Sequence, residues 1–367
     1  MSAGGPLAGI TVIDFSELLP GPFFTQNLAE MGARVIKIER PPGGDNARRM
    51  GAGAFASINR GKQSLLVDLK DESQRAQVRE LVSTADVLVE SYRPGVMARL
   101  GFDHASLRAD FPRLIYVSLS GYGQDGPWAN LPGHDINYLA AAGVLALSGQ
   151  PGGPPEQSFG LPVADLCGSM YALSSTLAAL FQRERTGRGQ HLDVALAECA
   201  LHWMNARLGA FQGGVAASLD QQREATQIKP AYGIFRCRDK RYLSVAALED
   251  HFWHRLCEVL DMGEFAADAY RELDARKKRA PDINTRMAEQ IGKQDLAVLN
   301  EVLIRSDIPA SPVVAPSELA ASPQFAQRGL MADGAPLSLV RYPVRMEGVV
   351  PEALTEAPVL GSVRHPL

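Results

Sequence analysis

The stretch "ITVIDFSELLPGPFFTQNLAEMGARVIKIER" (residues 10–40) decides the fold. It opens on a short β-branched run, "ITVIDFS" (10–16), of the kind enriched in strands. A Pro/Gly turn follows. Then "PFFTQNLAEMGA" (22–33) predicts a helix, with Pro22 in its first turn and Gly32 near its end. "RVIKIER" (34–40) is a second strand. Working outward, "QSLLVDL" (63–69), a charged amphipathic helix at 71–84, "DVLVESY" (86–92) and "LIYVSLS" (114–120) continue the alternation. Such a series predicts an α/β domain, a mostly parallel sheet covered on both faces, with ligands at the carboxyl ends of its strands.

After residue 120 the texture changes. Helices are expected over 135–147 and 166–183, joined by the Gly/Pro-rich loop "SGQPGGPPEQSFGLP" (148–162). "GRGQHLDVAL" (187–196) reads as one more strand, leading into a helix around 197–212. The stretch 213–230 is polar and poorly periodic, a linker by composition. "YGIFRCRDKRYLSVAAL" (232–248) predicts a hairpin through its "RDK" turn and opens a smaller α/β unit with helices near 250–260, 283–290 and 295–305. The organisation expected is therefore a large domain over 1–212, a linker over 213–230, a small domain over 231–325, and a Pro-rich segment, 326–367, returning to the large domain.

Of the 367 residues, 46% are hydrophobic and 21% charged, as in ordinary soluble globular chains long enough for two cores. Thirty-seven basic residues against 41 acidic ones give a net charge of −4, with no basic block. That argues against a nucleic-acid partner and leaves room for a small anionic ligand, which needs only a few arginines. The first residues lack the basic and apolar regions of a secretory leader, and apolar runs such as "LAAAGVLAL" (139–147) are far too short to cross a bilayer. No membrane partner and a cytoplasmic location are the expectations. Cys167, Cys199, Cys237 and Cys257 form no C-x-x-C pair, so neither a metal site nor a disulfide framework is expected.

The turn "SELLPGPFF" (16–24) holds one glycine where a dinucleotide fingerprint needs three, which argues against a nicotinamide or flavin enzyme. Basic residues nonetheless gather where strands end or begin: Arg40, Arg60, Lys62 and Arg93. Guanidinium forks there suit a phosphate-bearing ligand. Three acid–base groups stand at predicted helix starts: His134 in "PGHDINYLA" (132–140), Asp165 in "PVADLCGSM" (162–170) and Glu249 in "SVAALEDHFW" (244–253). Each fits a cap, as does Asp135 for the helix after it. The same places fit chemistry: a carboxylate held at a helix N-terminus can serve as base or nucleophile, and the adjacent amides can hold an oxyanion. Both readings stay open on local sequence. Asp193 and His202, within apolar runs, read as structural.

Taken together these segments resemble the CaiB/BaiF family, the class III coenzyme A transferases, and within it most closely the α-methylacyl-CoA racemases. The resemblance runs through "NRGKQSLLVDLK", "ADVLVESYRPGVMARLG", "LIYVSLSGYGQDGP", "GHDINYLAAAGVL", "PVADLCGSMYAL" and "ERTGRGQHLDVAL", and covers most of the first ~255 residues. It implies a Rossmann-like large domain without the glycine fingerprint, and two subunits interlocked as a homodimer with the site shared between the large domain of one and the small domain of the other. It implies coenzyme A binding by Arg40 and Arg93, with Arg60, Lys62 and the strand beginning at Val67 lining the nucleotide pocket. Asp165 matches the aspartate that attacks the thioester in the family's transferases. In racemases the residues matching His134 and Asp165 are two bases, and Glu249 matches the acid that supports the histidine. The function implied is racemisation of 2-methylacyl-CoA or related thioesters, with CoA transfer through an acyl-Asp165 intermediate as the alternative, and with no cofactor beyond the coenzyme A of the substrate. "PGPF" (20–23) is racemase-like. Leu166-Cys167-Gly168-Ser169 departs from the glycines that racemases place after the aspartate.

Overall fold

The alternation of β-branched runs with helices produces one six-stranded sheet. Its strands are β1 (Thr11–Asp14), β2 (Arg34–Glu39), β3 (Gln63–Leu66), β4 (Val87–Glu90), β5 (Ile115–Ser120) and β6 (His191–Ala195). The computed structural model describes residues 5–157, 160–214, 216–331, 340–349 and 356–363. The sheet order is β3-β2-β1-β4-β5-β6, and every pairing is parallel. The order reverses between β1 and β4, which opens a crevice at their carboxyl ends, the usual ligand position in such sheets.

The helices of this region are α1 (Pro20–Glu30), α2 (Ala52–Asn59), α3 (Glu72–Ser83), α4 (Val96–Leu100), α5 (His104–Arg108), α6 (Asp135–Ala141), α7 (Val163–Thr186), α8 (Leu196–Trp203) and α9 (Asn205–Gln212). Alternate strand residues face opposite ways. Val12, Val35, Val87, Val89, Ile115 and Val117 pack against Phe24 and Leu28 of α1 and Ala172, Leu173 and Leu180 of α7. Ile13, Ile36, Ile38, Leu88 and Tyr116 pack against Val78, Leu81 and Val82 of α3 on the other face. The sheet is thus apolar on both sides, as a parallel sheet must be.

The helix expected over 166–183 starts earlier and ends later, and its 24 residues are long and apolar enough by composition to cross a membrane. No uninterrupted apolar run marks it, because Ser169, Ser174, Ser175 and Thr176 punctuate the sequence. Half of its most apolar window is buried, and it packs on α1, α6, α8, β5 and β6 as a core helix. The helix expected over 135–147 is shorter. It ends at Ala141, and Leu145–Leu147 forms a separate 3-10 turn.

The chain divides into two compact units. One comprises Met1–Ala146, Glu156–Gly209 and Gln324–Leu367, the other Leu147–Pro155 with Ala210–Pro323. Within the second, residues 213–230 hold a helix, α10 (Leu219–Gln227), where composition suggested only a linker. The Gln221 amide donates to Ser218 Oγ at 3.2 Å, and Gln221 Oε1 accepts the Ser218 N–H at 3.0 Å. That S-x-x-Q capping box was the available signal. Arg223 fixes the helix to the Gly/Pro loop by donating to Gly153 O at 2.6 Å. The second unit continues with β7 (Tyr232–Arg236) and β8 (Tyr242–Ala246), joined as the expected antiparallel hairpin, and β9 (Ala310–Pro312) beside β8. Helices α11 (Asp250–Val259), α12 (Leu273–Lys277), α13 (Ala280–Ile291) and α14 (Leu296–Arg305) complete it around fully buried Trp253.

Residues 332–339, 350–355 and 364–367 of the C-terminal segment lie outside the described residues, as do 158–159 of the loop 148–162 and residue 215 of the stretch 213–230. The described remainder of that C-terminal segment bonds to the large sheet's surroundings. Tyr342 N–H donates to Glu30 Oε2 at 2.6 Å, and Gly361 N–H to Ser64 Oγ at 3.0 Å.

Candidate active site

The crevice between β1 and β4 is closed below by a hydrogen bond from Glu17 N–H to Ser91 Oγ at 3.1 Å. Arg40, just past β2, reaches back to Glu17, with its Nε 3.2 Å from Oε1. Asn46 Nδ2 donates to the other Glu17 oxygen at 2.8 Å. Burial pushes the Glu17 carboxyl up, while Arg40 pulls it down. The Arg40 side chain keeps 58% of its surface exposed, so the guanidinium is held in place yet open to a ligand. Arg93 is exposed as well, on the loop after β4.

Arg60 and Lys62 stand differently. Lys62 is fully buried, and its three ammonium protons have three partners: Asp14 Oδ2 at 3.2 Å, Pro22 O at 2.9 Å and Asn59 Oδ1 at 2.9 Å. Burial pushes this ammonium down to about 7 against the pull of Asp14. Asp14 is held well below the usual carboxylate range by Lys37, Lys62, Ser16 and Thr25 acting against burial. Lys37 in turn pairs with Asp45 at 2.9 Å, and Asp45 Oδ1 accepts the Leu18 N–H at 3.0 Å. This buried network holds the β1–α1 turn. Arg60, only 5% exposed, pairs with Glu30 and donates to Val340 O at 2.6 Å and Ser57 O at 3.0 Å. Val67 is buried, and its N–H donates to Glu39 O at 2.8 Å.

The helix starts that carry His134 and Asp165 are joined through Asp135. His134 is the N-cap residue of α6, its imidazole exposed, and its N–H donates to Asn137 Oδ1 at 3.0 Å. Asp135, expected to cap its own helix, caps α7 instead. Its Oδ1 accepts the N–H groups of Ala164 at 2.7 Å and Asp165 at 3.1 Å. The two amides beside Asp165 are therefore satisfied, and the expectation that they hold an oxyanion fails for that reason. Asp165 is the third residue of α7 rather than its cap. No hydrogen bond to its carboxylate forms among the described residues, and it is half-buried. Burial first, and the Asp135 charge second, push its carboxyl up to about 7.

Tyr138 of α6 lies alongside. Its hydroxyl donates to Gly133 O at 2.6 Å, and burial with the nearby Asp165 charge pushes it up to about 12, against Arg93. A side chain at Gly121 or Gly133 would collide with this ring, since a Cβ there falls 2.4 or 2.6 Å from Tyr138 Cε1. Glycine at both is what lets α6 sit close to the end of β5. Tyr138 has no assigned role in the sequence reading, and Asp135 has only that of a cap for its own helix. Asp135's position beside His134 was visible there, but its partners thirty residues away were not.

The departure after Asp165 points mostly inward. Cys167 is fully buried, and Gly168 fits against Leu196 of α8, where a Cβ would lie 2.2 Å from Cδ2. Ser169 Oγ is 2.7 Å from the carbonyls of both Pro20 and Asp165 and donates to one at a time. Leu166 is half-buried and Met170 exposed, so these two present side chains outward next to Asp165.

In the second unit, Glu249 is exposed at the N-cap of α11, but its carboxylate makes no capping bond. Buried Arg276 fixes the turn around it by donating to Leu248 O at 2.6 Å and Asp250 Oδ1 at 2.7 Å. Among the described residues no group of three His, Cys, Asp or Glu is placed to hold a metal ion. A cleft of about 700 Å³ lined by His104, Arg108, Phe111, Arg188 and His191 opens at the amino ends of β5 and β6, the sheet edge opposite Asp165.

A parallel sheet with reversed order at β1/β4, no glycine fingerprint and an unbonded carboxyl on the first turn of a core helix place the chain among the doubly wound α/β proteins. The profile of CoA-transferase family III matches residues 7–364, and the chain belongs to that family, also called CaiB/BaiF. It is 35% identical to an acetyl-CoA:oxalate CoA-transferase of Acetobacter aceti over 351 residues, covering 94% of this chain and 90% of that protein. It is 31% identical to the human α-methylacyl-CoA racemase over 328 residues, covering 88% and 81%. A crystal structure of a CaiB/BaiF family protein from Brucella suis superposes with a TM-score of 0.86 at 29% identity, covering 98% and 97%. The chain is thus an enzyme of the family that contains both CoA-transferases and acyl-CoA racemases.

Proposed function

We propose that this enzyme racemises 2-methylacyl-CoA or closely related 2-substituted acyl-CoA thioesters, with His134 and Asp165 as its two bases. The observation that carries the reading is the Asp165 carboxyl, unbonded and pushed up to about 7, on a turn tied to Asp135, the residue next to His134. A racemase must take the proton α to the thioester carbonyl and return one to the other face through an enolate. One base must start ionised and the other protonated, and the roles exchange with direction. A carboxyl poised near neutrality meets both demands, whereas an ordinary carboxylate is a poor acid at pH 7. Exposed Arg40 and Arg93, at the crevice of the sheet, are the residues we assign to the coenzyme A nucleotide. Arg60, Lys62 and Val67 support that pocket from within the fold. We further propose an interlocked homodimer in which Glu249 supports the imidazole of His134.

The second reading is CoA transfer between carboxylic acids through an acyl-Asp165 anhydride. It is favoured by the higher identity to the oxalate CoA-transferase. Incubation with a chiral 2-methylacyl-CoA in deuterium oxide separates the two. Racemisation predicts deuterium at the α-carbon and inversion without any acyl acceptor, severely slowed in both His134→Ala and Asp165→Ala. Transfer to a free acid that survives in His134→Ala but not in Asp165→Ala would replace the racemase reading by the transferase one.

A further inference from the structure

Helix α7 presents an electrostatic problem at its first turn. Unsatisfied amides and the helix dipole place roughly half a positive charge at such an end, and a carboxylate there is normally stabilised in its ionised form. Asp165 sits on that turn and yet is driven toward protonation. Burial is the first cause, and the second is on the neighbouring helix: one oxygen of Asp135 takes both the Ala164 and the Asp165 amide, at 2.7 and 3.1 Å. A full negative charge now covers the amides that would have attracted the Asp165 anion.

We propose that Asp135 is a positioning residue for Asp165: its carboxylate locks the turn bearing Asp165 to the start of α6, which bears His134, and replaces an attractive helix-end field with a repulsive one. This rests on Asp165 being the reacting carboxyl, and holds whether it acts as base or as nucleophile. The other groups around the turn do not supply that field. Tyr138 of α6 is a neutral phenol pushed up to about 12, with Tyr122 and Arg93 acting on it. Helix α1 contributes the Pro20 carbonyl through Ser169, and α8 contributes Leu196 against Gly168. Cys167 and Cys199 are neutral thiols, pushed by burial up to about 12 and 11. His134 adjoins Asp135 with its imidazole exposed.

The test compares Asp135→Asn and Asp135→Ala in the full chain. Asparagine keeps an oxygen that can accept both N–H groups but removes the charge. The ionisation of Asp165 is read without turnover, as the carboxyl stretch in the infrared difference between each protein and its Asp165→Asn counterpart. In Asp135→Asn the midpoint is expected to move about one pH unit or more toward acid, as when a close like charge is removed. The pH–rate limb assigned to Asp165 as base should follow it downward. Asp135→Ala should shift at least as far, because its freed amides attract the anion, and should lose a further ~10-fold or more in kcat that asparagine restores. An unchanged midpoint in folded Asp135→Asn overturns the proposal, as does equal activity loss in both variants without any pH shift. If Asp165→Asn itself keeps full activity, the underlying assignment of Asp165 falls instead, while the infrared midpoint still reports on Asp135.

Discussion

Replacing Lys62 by methionine separates a ligand contact from a fold contact. The ammonium of Lys62 is fully buried with Asp14 Oδ2, Pro22 O and Asn59 Oδ1 at 2.9–3.2 Å. Methionine fills nearly the same volume, so the change acts through charge and hydrogen bonding rather than a cavity. It leaves Asp14 with one buried cation, Lys37, and takes a donor from both Pro22 O and Asn59 Oδ1. Breaking a buried pair from one side costs about 3–5 kcal/mol, and at about 2–4 °C per kcal/mol the melting temperature should fall by roughly 6–20 °C. Asp14, held low in the folded state, also supplies stability that is present above the unfolded carboxylate pKa and disappears as pH falls through the folded one. The variant should therefore lose part of that acid-side dependence. Scanning calorimetry across pH, with KM for a CoA thioester measured well below the melting point, is the assay. A melting temperature within 2 °C of wild type together with a ~10-fold or greater rise in KM would refute the reasoning and return Lys62 to the nucleotide.

Two further outcomes are expected. Arg93→Ala, at an exposed side chain beside the crevice, should raise KM about 10- to 150-fold with little change in kcat, the loss of one charge-assisted contact; unchanged KM would move the nucleotide elsewhere. Light scattering should give a particle near twice 39.6 kDa that persists on dilution, and Glu249→Gln should lower kcat in that dimer without dissociating it; a stable, active monomer would remove Glu249 from the site.

The sheet was legible because its signals are local. Four of the first five strands show as short β-branched runs, the third as the apolar "QSLL" and the sixth as "HLDVA", near the expected residues. The helices flanking the site were less so. The start of α7 is hidden because Val163 and Ala164 follow Pro162 without a capping side chain; the cap comes from Asp135, which no local pattern connects to it. The same limit applies to Lys62 and Arg60. Position at a strand end suggested ligand contact, and only the partners Asp14, Pro22 and Glu30, far off in sequence, show that both charges are consumed inside the fold. His134, Asp165 and Glu249 were visible as helix-start residues, yet which groups surround each is a property of packing. Two-residue glycine clearances such as Gly121 and Gly133 around Tyr138 leave no trace in periodicity at all.

The chain order of the C-terminal contacts has a consequence for biosynthesis. Arg60 waits for the carbonyl of Val340, Glu30 for the amide of Tyr342, and Ser64 for the amide of Gly361. All three acceptor or donor groups leave the ribosome after the whole of Ala210–Pro323. The large sheet's region, though begun first, therefore acquires these contacts only after every residue of the smaller unit has been made. A chain truncated before residue 340 should therefore lack these partners of Arg60, Glu30 and Ser64 although it holds every residue of the second unit.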